Sequence, residues 1–382
     1  MILAWIRRLA YGENRYQSPA DLFSDGSDDP LAISKMEVLA GDPSYVSTAD
    51  FDSGVQVLCL MAESFRRIFG RVPHIAVACK HGNPCGAAFD WNDPGLAIHK
   101  MLMGDPLAVM GGEVVTNFPL DGELALALHI VPLACKIGRD KWGLDFIAAP
   151  DFDEAAITTL EGRTKKPRRL VRNPALLTPT LSPADWIYRP VRGGFIRQRP
   201  ARFILDRERI SWHRSHCLDE AQFETLPLVW ATCWSGSSNS TTLGRDRMLL
   251  SRCFGQQDRV ACNQFCLDLA RRSGHALRGS LFGTDGHFPY AQRDVDWTEV
   301  WELAKQFAQA EATSFTSFAD QLKTALILAD KREGPQLLAD AGCIGGIVPA
   351  DGQYLAQVQD FFAAAGMAVA YVEPNNRGFC RH

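Results

Sequence analysis

Long hydrophobic runs are missing from this chain, and no stretch approaches the ~20 consecutive apolar residues that a membrane span needs. Met1 to Ile6 is apolar but passes at once into Arg7-Arg8, so neither a signal peptide nor an anchor is expected. An excess of one charge is missing too. A formal net charge of -4 gives no bulk attraction to nucleic acid, and any anion site has to be built from local basic residues. The densest basic run, Arg163-Thr164-Lys165-Lys166-Pro167-Arg168-Arg169, carries no interleaved aromatics and reads as a solvated loop beside a strand. The 11 cysteines follow no regular spacing, which argues against a disulfide framework and for free thiols in a reducing, cytoplasmic setting. Disorder is not the default for this composition. At 382 residues, 46% hydrophobic and 22% charged, the chain can build two domains with proper cores.

What is present alternates between helical and strand-like segments, the pattern of an α/β fold. Ser53 to Phe69 is amphipathic, His74 to Cys79 has strand length, and Pro94 to Met103 is helix-like. Val114-Val115 and Phe146 to Ala149 read as short strands with a helix, Leu120 to Ala134, between them. The arginine-rich stretch from Arg197 to Arg209, with Pro200, reads as a crossing between two lobes. Beyond it come a helix-like Glu220 to Cys233, a turn-rich Ser235-Gly236-Ser237-Ser238-Asn239, and a helix-like Asp258 to Arg272.

The most informative segment is Lys80-His81-Gly82-Asn83-Pro84-Cys85-Gly86, which sets an ammonium, an imidazole and a carboxamide on backbone that cannot stay helical. Between the strand before it and Gly86-Ala87-Ala88-Phe89 after it, the reading is strand, loop, helix, with Pro84 near the first helical position. The segment resembles the Lys-His-x-Asn-Pro-Cys-Gly signature of the aminoimidazole carboxamide ribonucleotide (AICAR) transformylases. Further similarities follow in order. Leu9-Ala10-Tyr11-Gly12-Glu13-Asn14-Arg15-Tyr16-Gln17 is similar to the family's opening, and Asp105-Pro106 with Gly111-Gly112 to its next motif. After these come Asp145 to Pro150, Val191-Arg192-Gly193-Gly194, Ser238-Asn239, Gly255 to Arg259, Thr284 to Tyr290, and a chain end in Arg381-His382.

That resemblance implies two cytidine-deaminase-like α/β lobes with mixed sheets. They would span residues 1–198, carrying the Lys-His loop, and 199–382. It also implies a homodimer with shared sites, AICAR as the amine and 10-formyltetrahydrofolate as the formyl donor. The opening motif begins at Leu9, so the family's amino-terminal IMP cyclohydrolase domain is expected to be missing. Between Tyr290 and Arg332-Glu333-Gly334 an insertion near 291–331 intervenes, with two amphipathic helices expected at Trp297 to Ala310 and Phe318 to Ala329.

By the same resemblance Lys80, His81 and Asn239 are catalytic. Tyr11, Gly111, Asp145, Arg259, Arg377 and His382 contact the substrate; Arg381 is the alternative to Arg377 in a second register. Met110, His287, Phe288, Pro289, Tyr290 and Glu333 contact the folate, with Gln292 as the alternative to Glu333. Formyl transfer to a weak, ring-conjugated amine requires proton removal and a stabilised oxyanion. An imidazole accepts a proton near neutral pH, which suits His81, and Lys80 offers a point charge to the developing oxygen. A Lys-His pair alone more often decorates a surface, and the ordered motifs are what change that reading. Arg259 would open a helix, where a cation opposes the dipole unless it has an anion to bind.

Two other chemistries fit the sequence less well. Cys85 lies four residues after His81, as an activated thiol could, but Pro84 and Gly86 around it suit a packing cysteine. Pro84-Cys85 also resembles zinc deaminases, whose second cysteine would fall at Ala88, so no metal is expected. The chain departs from the family at Ala10, where an arginine resembling a phosphate contact is expected, and at His287 in the Phe-Phe-Pro-Phe motif. Arg7, Arg8 and Arg15 are near enough in sequence to replace the former. Ala10 and His287 favour an alternative, the same chemistry on a different amine. A further alternative is a catalytically silent binding paralogue that uses the inserted helices.

Overall fold

The computed structural model describes residues 3–134, 142–161, 168–201, 203–214, 217–292, 302 and 332–376. Arg377, Arg381, His382 and, Glu302 apart, both expected inserted helices lie outside the described residues.

In chain order the first part of the fold runs β1 (Ala4–Leu9), β2 (Ala20–Ser24), β3 (Glu37–Ala40), α1 (Tyr45–Phe69), β4 (His74–Lys80), β5 (Asn83–Asp90), α2 (Pro94–Gly104), α3 (Pro106–Val109), β6 (Glu113–Thr116), α4 (Gly122–Ala134), β7 (Phe146–Ala149), α5 (Glu154–Glu161) and β8 (Arg169–Arg172). A hairpin, β9 (Ile187–Val191) with β10 (Gly194–Gln198), precedes β11 (Ile210–Trp212). Then follow α6 (Glu220–Phe223), α7 (Leu226–Trp234), β12 (Thr241–Arg245), β13 (Met248–Cys253), α8 (Arg259–Arg272), β14 (Leu281–Thr284), α9 (Gly334–Asp340), β15 (Gly345–Pro349), α10 (Leu355–Ala364) and β16 (Ala368–Val372).

The α/β reading holds. Twelve strands form one mixed sheet in the order β11-β16-β15-β14-β12-β13-β5-β4-β6-β7-β8-β3. Read outward from the β13/β5 junction, both halves repeat one pattern: an antiparallel hairpin, a third strand antiparallel to it, two parallel strands, and an antiparallel edge. The halves touch through Met248 opposite Ala88, the Phe89 amide on the Arg247 carbonyl at 3.1 Å, and an ion pair at 2.6 Å between half-buried Arg252 and buried Asp105.

Helices cover both faces. α1 and α7 share one apolar layer that runs across both halves, from Phe51 and Phe65 to Trp230 and Ile347. α2, α4 and α5 cover the other face of the first half, and α8, α9 and α10 that of the second. α1 forms because Phe51, Val55, Leu58, Ala62 and Phe65 recur at three- and four-residue spacing. Ser44 and Ser47 cap its start reciprocally, and Gly70 closes it in the left-handed conformation at φ 68. Among the described residues no helix is long and apolar enough to cross a membrane.

Three local expectations are corrected. Gly86 to Phe89 opens no helix: Asn83–Asp90 is a buried strand, so the Lys80 segment is a hairpin turn. Glu220 to Cys233 is two helices, with Pro227 in the first turn of the second, where a missing amide costs nothing. Arg168 is no solvated loop residue. It is buried, and its guanidinium donates to the carbonyls of Leu144 and Leu160 and meets both nitrogens of His129.

Candidate active site

The β4–β5 turn carries Lys80 and His81, and its shape is held from behind. His81 takes φ 54, which a side-chain-bearing residue adopts only when surroundings enforce it. The enforcing group is Asp50 on α1. This buried carboxyl accepts from the His81 amide at 2.8 Å and from the Gly82 amide. The His81 side chain is exposed, and Asn83 Nδ2 donates to the His81 carbonyl at 3.0 Å.

Lys80 Nζ donates to the Met110 carbonyl at 2.8 Å, which aims the ammonium at the Gly-Gly segment before β6. Gly111 sits at φ 73 with its amide on the Gly143 carbonyl, and a Cβ there would stand 3.9 Å from Lys80 Nζ. Asp145 follows on the next strand approach, exposed, its amide on the Gly112 carbonyl. Lys80, Met110, Gly111 and Asp145 therefore share one end of the sheet, where β4 finishes and β6 and β7 begin.

The second half of the chain reaches the same turn. Asn83 Oδ1 accepts from the Ser237 amide at 3.1 Å, two residues before Asn239. The Asn239 amide is held at both ends: Nδ2 donates to the Gln256 carbonyl at 2.7 Å, and Oδ1 accepts from Arg259 at 2.6 Å. Arg259, 7% exposed, also donates to the Ser240 carbonyl and pairs with the fully buried Asp285. The anion expected for this helix-start cation is thus within the protein, and Arg259 reaches the site as the support of Asn239.

The other expected contacts divide. The Tyr11 carbonyl accepts from the Tyr45 amide, which ties it to the start of the helix that carries Asp50. Beside it Ala10 is exposed, Arg8 is spent on Asp21 at 2.8 Å, and Arg7 is half-buried near Asp42. Phe288 packs into the core against Phe282 and Phe362, whereas Pro289 and Tyr290 are exposed, Tyr290 against Tyr354 at 5.2 Å. His287 faces Asp351 at 3.8 Å. Glu333 is buried and caps α9 reciprocally with Gln336. Cys85 is buried too, which pushes its thiol up to about 12. Among the described residues no cluster of three or more His, Cys, Asp or Glu is placed to hold a metal ion.

Sequence reasoning missed Asp50 and Glu113, and it gave Asn83 and Gln256 no role of their own although both lie in the matched motifs. Asp50 carried no signal, because an aspartate near the start of a long helix reads as a solvated face. Glu113 carried one: a carboxyl at the head of the apolar Val114-Val115 strand is out of place unless it has a partner.

The model of a family described as the AICARFT/IMPCHase bienzyme matches residues 3–268. Among curated proteins, the chain is 29% identical over 297 residues to the bifunctional purine biosynthesis protein PurH of Caldicellulosiruptor saccharolyticus, covering 76% of this chain and 51% of that protein. The PurH proteins of Bacillus subtilis and Thermosynechococcus vestitus are 28% and 29% identical over 285 and 287 residues, each match covering 74% of this chain and 49% of the relative. The chain thus spans about half the length of the curated relatives it matches.

Proposed function

The chain belongs to the AICARFT/IMPCHase bienzyme family, and from that premise we propose that it transfers the formyl group of 10-formyltetrahydrofolate to the 5-amino group of AICAR in purine biosynthesis. The observation that supports this reading is the hydrogen bond from the Ser237 amide to Asn83, which brings the segment of Asn239 from the second half of the chain against the turn that carries Lys80 and His81.

In this reading the amine nitrogen attacks the formyl carbon while His81 accepts its proton. Lys80, with one N–H on Met110, has two left for the oxyanion. Asn239, held by Gln256 and Arg259, keeps one N–H and one lone pair to orient the reacting amine or carbonyl. Collapse breaks the bond from carbon to N10, N10 takes the proton, and formyl-AICAR and tetrahydrofolate leave. Substrate roles for Tyr11, Gly111, Asp145, Arg377 and His382, and folate roles for Met110, His287 to Tyr290 and Glu333, complete the proposal. So does a homodimer, supported by the exposed β9–β10 hairpin.

Purified protein given both substrates is expected to release tetrahydrofolate with formyl-AICAR, and a folded protein that transfers nothing would refute the assignment. Exposed Ala10 favours a second reading, the same reaction on an amine without the 5′-phosphate. A missing charged hydrogen bond to phosphate costs about 1.5–3 kcal/mol, roughly tenfold or more in affinity. If AICAR is the substrate, Ala10→Arg gives little gain; if not, it improves AICAR formylation sharply and the wild type prefers the dephosphorylated nucleoside.

A further inference from the structure

Glu113 opens β6, opposite Cys79 of β4 on one side and Phe146 of β7 on the other, in a row that ends at Arg169 of β8. Val115, two residues on, packs in the α1-side core, so Glu113 stands on the face that α1 covers. Its side chain is 5% exposed. It faces the carboxyl of Asp50, the group that holds the His81 and Gly82 amides, and its Oε2 has no partner.

We propose that Glu113 is a positioning residue for the catalytic turn, acting through a hydrogen bond from its carboxyl to the Asp50 carboxylate. This rests on the formyl-transfer reading for its link to catalysis, but the contact itself precedes any substrate. Two buried carboxyls in contact cannot both be charged without partners, so one proton is held between them. Burial first, then Asp50 and Asp145, raises Glu113 to about 9, with Arg169 pulling the other way. Lys80 at the end of β4 is engaged on Met110. At neutral pH Glu113 is therefore an O–H donor, and Asp50 accepts three hydrogen bonds, one from Glu113 and two from the turn. Above about pH 9 the third becomes a repulsion behind His81.

The sign of the stability effect follows. Between the ordinary glutamate value of 4.5 and about 9 the folded protein holds a proton that the unfolded chain has released. Stability therefore falls as pH rises through that window and levels off above it. Glu113→Gln keeps a donor and removes the proton, so its melting temperature relative to wild type should climb from pH 5 to 9. A flat difference would mean that Glu113 is charged throughout, and would overturn the proposal. Hydrogen exchange at His81 and Gly82, measured without substrate, gives a second arm: Glu113→Ala should speed it about tenfold or more, and Asp50→Asn likewise, with the double variant no faster than the worse single. Unchanged exchange in Glu113→Ala would equally overturn the idea. In the formylation assay wild type should lose kcat above about pH 9, and Glu113→Gln should lack that limb. If neither protein formylates AICAR, the functional reading fails while the melting and exchange arms still decide the carboxyl pair.

Discussion

His81, the proposed general base, shows how little of such a role resides in the side chain itself. The imidazole is exposed, and what fixes it is backbone: a left-handed φ held by two hydrogen bonds to Asp50. A general base acts mainly on the transition state, so His81→Ala should lower kcat by roughly 10²-fold or more with little change in KM. Lys80→Met should behave similarly, because the ammonium aimed by Met110 is lost while the turn stays clamped. Cys85→Ser should stay active, since a thiol that burial raises to about 12 supplies no thiolate at neutral pH. Steady-state kinetics of the three variants check this, and a folded but inactive Cys85→Ser would restore a covalent route. Lys80 and His81 stand out in the sequence because their residue types suit the proposed chemistry. Asp50 does not, because its role depends on a turn 31 residues away in sequence. Arg259 was half legible: its need for an anion could be read from a helix start, but not that Asp285 supplies it.

At the scale of elements, the long helices were readable but the capped start of α1 at Ser44 was not, and the Lys80 segment was misread for a reason that particular residues give. Gly86-Ala87-Ala88 lacks the β-branched side chains that mark a strand, yet β5 needs small residues because α2 lies directly on it. A Cβ on Gly86 would sit 2.7 Å from the Met101 carbonyl and 2.8 Å from Val109 Cγ2. Helix propensity thus lost to packing that no local pattern encodes. Gly86→Ala should destabilise by about 1–3 kcal/mol, the usual cost of overpacking a close contact. Urea unfolding would show a lower midpoint at unchanged slope, and a wild-type midpoint would mean that α2 yields more easily than its backbone contact implies.

Over the whole molecule, the α/β class was legible, but the fusion of its strands into one sheet was not, since the two halves meet in a single register pair, and the polar contacts and the α1–α7 apolar layer that join them carry no sequence pattern of their own. The β9–β10 hairpin stands apart from that sheet, and all ten of its residues are exposed, among them Phe195 at 65% and Ile196 at 56%. Arg197 and Arg199 stack on Trp186 at its base, at 4.2 and 4.3 Å, but nothing among the described residues covers its apolar side chains. A lone two-stranded hairpin is marginal in water, and a contiguous apolar surface of this kind marks an interface. A second copy of the chain is the expected cover. Sedimentation at micromolar concentration should therefore give a dimer, and Phe195→Glu should shift it toward monomer by placing a charge in the contact. If the sites are shared between subunits, formylation per chain should fall with protein concentration in that variant before it does in wild type. A wild-type monomer at assay concentration, with full activity, would sink both parts of this expectation.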